Sequence, residues 1–356
     1  MIRRLLDNFR VAFLNNKPGT LSVNDDTQLP QVVDSTRDNS IQDSTPVSWW
    51  KTIFFTSLGV TVLVLGARQL GWLQRWELRA YDQMMLLRPP EPPDDRILLV
   101  TVTDKDLQQQ KDVLSNETIH QVLKKIQSYQ PRVIGLHNSL YQKNTQKINL
   151  EIGIPKDNIF AGCVFKGINE TEAEIPPPPN FTKENTGFTD LIPDNTFDQV
   201  VRRGLLFQTP LPNSKCNTRF SFSTKLAIKY LSKQKIDYYF TENRLFYLGD
   251  VPFPHLQKQS GNYTNLDPDG SQILINYRNH RNVAKTVSFT DVFTDKVNPN
   301  LIKDRLVIIG ESARSLDPGR LTPYSTFKNP PAVPPVVIHA QITSQLISAV
   351  LDGRPL

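Results

Sequence analysis

The sequence predicts an α/β body, a mixed sheet flanked by helices, preceded by one transmembrane helix. Three observations carry this. Short β-branched strands alternate with helix-patterned segments between residues 96 and 351, the order of a sheet that is at least partly parallel. One stretch, residues 50–72 (WKTIFFTSLGVTVLVLGARQLGW), is apolar except near its ends. All four tryptophans of the chain, Trp49, Trp50, Trp72 and Trp76, stand at the edges of that stretch, where an aromatic belt meets the headgroups.

In chain order, Met1–Leu14 carries Ile2, Leu5, Leu6, Phe9 and Phe13 at helical spacing opposite arginines, and either lies on a membrane surface or is a short helix without a partner. Residues 20–47, rich in Asn, Asp, Ser, Thr and Gln, read as disordered, so that residues 1–48 form a largely disordered tail. The apolar stretch of residues 50–72 is long enough to span a ~30 Å hydrocarbon core. The ~48 residues before it argue against a cleaved signal peptide. Arg75–Arg88 continues helically and stops at Pro89 and Pro90.

Arg96–Thr103 is a strand, and Asn116–Tyr129 a helix capped by Ser115, with Ile119, Val122, Leu123 and Ile126 on one face. Strands follow at Pro131–Leu136 and Ile159–Phe165, a helix at Ser221–Leu231, and a hairpin over Ile236–Leu248. Gln272–Tyr277 and Arg305–Gly310 are further strands, and Val336–Leu351 is the closing helix.

Composition removes whole classes. Lys+Arg 41 against Asp+Glu 35 gives +6, but no run of five basic residues occurs, so no nucleic-acid partner is expected. Two cysteines exclude a disulfide-rich scaffold and a Cys-based zinc cage, and the five histidines stand far apart. Gly310–Arg314 (GESAR) has the outline of a nucleophile elbow, but Arg314 replaces the glycine that the turn needs, so Ser312 is a poor nucleophile. Gly162–Gly167 has phosphate-loop glycine spacing with Ile168 in place of the lysine, and no dinucleotide turn exists. Neither an enzyme nor a cofactor is expected.

The helix Trp76–Leu87, then PPDDRILLVTVTDKD, then YQPRVIGL, resembles the start of the second class of CHASE domains (cyclases/histidine-kinases-associated sensory extracellular). Gly187–Arg203 (GFTDLIPDNTFDQVVRR), the FS…LA…YL pattern of Phe220–Leu231, Leu306–Gly310 with Thr322–Pro323, and the HAQ of Val336–Leu351 follow in that family's order. The resemblance covers residues 75–356. It departs at His137, where the family usually has an acidic residue, and at Asn195–Phe197, which replaces a P-D-G turn. Charge counting does not fix the orientation. The resemblance implies residues 1–48 in the cytoplasm and residues 75–356 outside, in a single-pass protein of the cytoplasmic membrane. It implies a sensor of a small ligand or an environmental stimulus. It also implies a chain that stops where relatives continue to an output domain, and that acts through a signalling partner protein or as a homodimer. A membrane-anchored interaction protein that senses nothing and an extracytoplasmic hydrolase are the alternatives.

Candidate ligand residues are Asp104 and Asp106 beyond the first strand, His339 and Gln341 opening the closing helix, and Thr322 in the loop facing it. Asp104, His339 and Gln341 are expected to converge at one end of the sheet. Arg202 and Arg203 follow an acidic loop and are suited to clamp a carboxylate or to form a solvated charge pair. Asp190, Asp194 and Asp198 recur at four-residue steps without the glycine of a calcium loop, so no metal is assigned. Cys163 and Cys216 both fall in the body. An extracytoplasmic location predicts a disulfide between them, closing 53 residues (216 − 163).

Overall fold

The computed structural model describes residues 49–109, 114–141, 157–167, 173–194, 198–261, 263–267, 269–278, 282–325 and 332–356. The tail of residues 1–48, its segment Met1–Leu14 and the 195–197 turn lie outside them. The chain divides into two units between Ser57 and Leu58. Residues 49–57 open helix α1 (Trp49–Gln69), 21 residues long and apolar enough to cross a membrane. At ~1.5 Å per residue it reaches about 31 Å. It ends before Trp72 because Gly71 adopts φ 78, the left-handed region that glycine enters without a Cβ clash.

In the second unit, α2 (Gln74–Leu87) ends at the prolines as expected. The main sheet comprises β1 (Ile97–Val102), β2 (Val133–Leu136), β3 (Ile159–Cys163), β4 (Thr186–Phe188), β11 (Lys285–Ser288) and β12 (Leu306–Glu311), ordered β11-β1-β12-β2-β3-β4. Every pairing within it is parallel. Antiparallel pairing is confined to two small sheets. One is formed by β5 (Ile192–Pro193), β6 (Val201–Phe207) and β10 (Ser271–Leu274), the other by β7 (Tyr238–Phe240), β8 (Phe246–Leu248) and β9 (Val251–Phe253).

A parallel sheet needs cover on both faces, and alternate side chains supply it. Ile97, Leu99, Val133, Leu306 and Ile308 pack with α5 (Phe222–Ser232) and α7 (Pro335–Asp352). Leu98, Val100, Val102, Ile134, Leu136, Val307 and Ile309 pack with α4 (Asn116–Ser128) and α6 (Phe289–Phe293). Each such Leu or Ile, removed wholly from water, contributes about 1.5–3 kcal/mol. Ser115 caps α4 by accepting the Thr118 amide at 3.2 Å. α7 is buried through residues 336–349, starts with Pro335 in its first turn and is closed by Gly353 at φ 64. At Gly187 a Cβ would come within 2.5 Å of the Phe222 backbone, so only glycine lets α5 approach β4 so closely.

Cys163, at the end of β3, is bonded to Cys216, with Cα atoms 5.6 Å apart, in a cluster with Phe165, Phe188 and Leu205.

Candidate functional site

The aspartates beyond β1, in the first turn of the short helix α3 (Asp104–Gln109), secure neighbouring loops. Asp104 accepts the amides of Arg314 and Ser315, both at 3.1 Å, and these hydrogen bonds, Ser315's first, hold its carboxyl below the usual range. Asp106 accepts the Thr103 amide at 2.7 Å, the Thr290 amide at 3.2 Å and the Ser288 hydroxyl. Burial pushes its carboxyl up, but bonds from Ser288, Thr103 and Thr290 outweigh burial and bring it below the usual range. Both residues thus stitch together the carboxyl ends of β1, β11 and β12.

His339 is buried in the first turns of α7. Its Nδ1 faces the Ser223 hydroxyl at 3.0 Å and its Nε2 the Thr189 carbonyl at 3.2 Å. Its ring lies 5.2 Å from that of His137, the residue after β2. Burial pushes His339 down to about 4, and burial, then the neighbouring His339, holds His137 well below its usual value, so both are neutral at pH 7. Gln341 accepts the Arg278 amide at 3.0 Å. The Thr322 amide bonds to Ser325 at 3.0 Å. Asp104, His339 and Gln341 therefore take separate partners. What gathers around His339 is His137, Thr189 and Ser223.

The two arginines behave differently. β6 is buried along nearly its whole length although it reads VRRGLLF, and Arg202 is fully buried on it. Arg202 donates to Asp82 at 2.6 and 2.8 Å, to Asp194 at 2.8 Å and to Asp198 at 2.7 and 3.0 Å. Burial opposes its charge, but the bonds to Asp82 and Asp198 outweigh burial and push its pKa up. Arg203 donates from Nε and Nη2 to Asp194 at 3.0 and 2.9 Å, and from Nη1 to Gln272. The Tyr263 ring covers it at 5.3 Å, and the Tyr263 hydroxyl donates to Asp194 at 2.8 Å. Asp194 thus holds both guanidinium groups. The aspartates at four-residue steps have internal partners: Asp190 accepts the Phe165 amide, while Asp194 and Asp198 bind arginine.

Arg203 lines a cavity of about 430 Å³, within the usual range for small-molecule sites. Its walls include Gln74, Tyr263, Leu266 and Gln272. α2 presents one face to this region, at positions 74, 78 and 82, four residues apart. Gln74 Oε1 accepts the Thr264 hydroxyl at 2.7 Å and amide at 3.1 Å. Leu78 packs against Tyr263 and Leu266, and Asp82 is gripped by Arg202. Sequence reasoning named Arg202, Arg203 and Asp194. Gln74, Asp82, Tyr263 and Gln272 were missed; the first two carry one signal, the four-residue step of Gln74, Leu78 and Asp82 along α2, and Tyr263 and Gln272 carry none.

Comparison with known proteins places the chain. A family model described as the CHASE2 domain matches residues 59–356, which include every element from α2 to α7. No curated protein and no solved structure matches it.

Proposed function

Because this chain belongs to the CHASE2 domain family, a family of extracellular sensory domains, we propose that the 430 Å³ cavity beside Arg203 is its sensory site and α2 its output lever. One observation carries this reading. Asp194 bonds at once to Arg203, which lines the cavity, and to Arg202, which grips Asp82 on α2. An occupant that competes for Arg203 or Gln272 loosens one side of Asp194 and rebalances its hold on Arg202. Gln74 and Leu78 give α2 two further points of contact with the same walls. Occupancy then selects between two positions of α2, which leads directly into α1.

In this reading α1 spans the cytoplasmic membrane, residues 1–48 lie inside, and the body lies outside and binds rather than catalyses. The Cys163–Cys216 bond supports the placement, since such bonds persist where thiols are not kept reduced. A reporter active only outside the cytoplasm, fused after Leu356, tests it. Activity there, and silence when the same reporter is fused ahead of residue 49, is the expected result. A silent but well-expressed carboxyl-terminal fusion overturns it.

A further inference from the structure

The walls of the cavity select the chemistry of what enters. Its inner end carries no uncompensated positive charge: Arg203 is held by Asp194 and Gln272 under the Tyr263 ring. Within the cavity itself Asp194, Asp267 and Asp269 outnumber that single, already paired arginine, so an anion there finds no free cation, and Arg219 and Arg244 along the trough beyond are exposed to screening water. Asp267 and Asp269 are exposed at the mouth, where water screens their attraction for a cation. An apolar occupant fits no better. The side chains of Gln208, Thr209 and Asn265 line the cavity and make no hydrogen bond with other described residues. Covering them with hydrocarbon would cost the desolvation of each. A neutral ligand that both donates and accepts hydrogen bonds and also has apolar faces satisfies these amides and hydroxyls, and lies against Phe165, Leu205 and Leu211 as well.

The cavity does not end at its mouth. Gln208, Thr209, Leu211 and Asp269 also line a trough of about 680 Å³ that continues over Phe207 and Phe240 and past the exposed Arg219 and Arg244. Phe240 is 41% exposed, and its ring stands edge-on to Phe207 with centroids 5.2 Å apart. These aromatic surfaces adjoin a hydrogen-bonding socket through shared walls, an arrangement suited to a chain of rings rather than to one small molecule.

We propose that cavity and trough together bind a neutral oligosaccharide, one terminal sugar against Gln208, Asn265 and the Arg203–Gln272 wall, and the following sugars over Phe207 and Phe240. The proposal rests on the reading of the cavity as the sensory site and names its ligand class.

The test is calorimetric titration of the full chain in phospholipid nanodiscs. The neutral probes are cellotetraose, chitotetraose and maltotetraose with their monosaccharides; the charged probes are citrate, spermidine and tetragalacturonate. The expected result is saturable binding of at least one neutral tetrasaccharide, more tightly than its monosaccharide. Phe240→Ala then weakens the tetrasaccharide about tenfold and leaves the monosaccharide unchanged, whereas Asn265→Ala weakens both. Preference for any of the charged probes, or no saturable binding of a neutral sugar at millimolar concentration, overturns the ligand class. Neither outcome touches the sensory reading, which fails separately if filling the cavity by a covalent tether leaves α2 unaffected.

Discussion

Replacing Cys163 and Cys216 together by alanine removes the only covalent link between β3 and the segment before α5. The pair encloses 53 residues, and both cysteines are fully buried. In the chain-entropy treatment a loop of that length restricts the unfolded chain enough to contribute about 4 kcal/mol. Loss of two buried sulfur atoms adds on the order of 1 kcal/mol each, because Phe165, Phe188 and Leu205 pack around them and refill the space only in part. The double variant is thus expected to unfold with about 4–6 kcal/mol less stability. Urea titration of the full chain followed by far-UV circular dichroism measures this. Tryptophan fluorescence is the wrong probe, since all four tryptophans lie at residues 49–76, outside the region that the bond staples. A double variant within about 1 kcal/mol of the parent would refute the reasoning, because the bond would then constrain no loop of this length.

Arg202→Met leaves Asp82, Asp194 and Asp198 without their shared cation and is expected to destabilise by about 3–5 kcal/mol. Asp82→Asn, which keeps the other two pairs, costs clearly less, and a double-mutant cycle in urea checks the coupling between them. Acid is expected to weaken the fold in a window set by His339, whose pKa burial moves from 6.5 to about 4. The unfolded chain binds the proton first, so the stabilisation is complete above about 6.5 and is lost as pH falls towards 4, by about 3 kcal/mol in all. His137 acts in the same direction. Thermal midpoints at pH 7 and pH 5 measure this. His339→Gln should flatten the dependence, and an unchanged slope would remove His339 as its cause.

The main sheet was legible because its strands are short, apolar and β-branched: 97–102, 133–136 and 159–163 fall within the expected segments, and 306–311 runs one residue past the expected end at Gly310. Helices α4, α5 and α7 followed from their periodicity, and Ser115 from its position as a cap. β6 was not legible. Two adjacent arginines in VRRGLLF make a buried strand look polar, and one of the three carboxylates that compensate Arg202, Asp82, lies 120 residues away. β11 is an edge strand with exposed residues, and β4 has three residues including a glycine, so neither carries an apolar run. At the site, the arginines and the nearby Asp194 and Asp198 were visible, but the distant partners were not. Tyr263 and Gln272 reach Asp194 and Arg203 across 69 residues of chain, a separation that no local pattern encodes. The cysteine pair needed no pattern, since a body with only two cysteines allows one internal bond.

The coupling of the cavity to α2 is the centre of this account, and it can be tested without knowing the ligand. Asn265→Cys places a thiol on the cavity wall, where phenylmaleimide attached to it occupies the space. Hydrogen exchange of the full chain in nanodiscs then compares labelled and unlabelled protein, with an exposed Asp250→Cys label as the control. If the cavity is coupled to α2, filling it changes exchange along residues 74–87 and the control label does not. Altered exchange in the β6 wall with α2 unchanged would contradict it, because the cavity would then be a site with no lever.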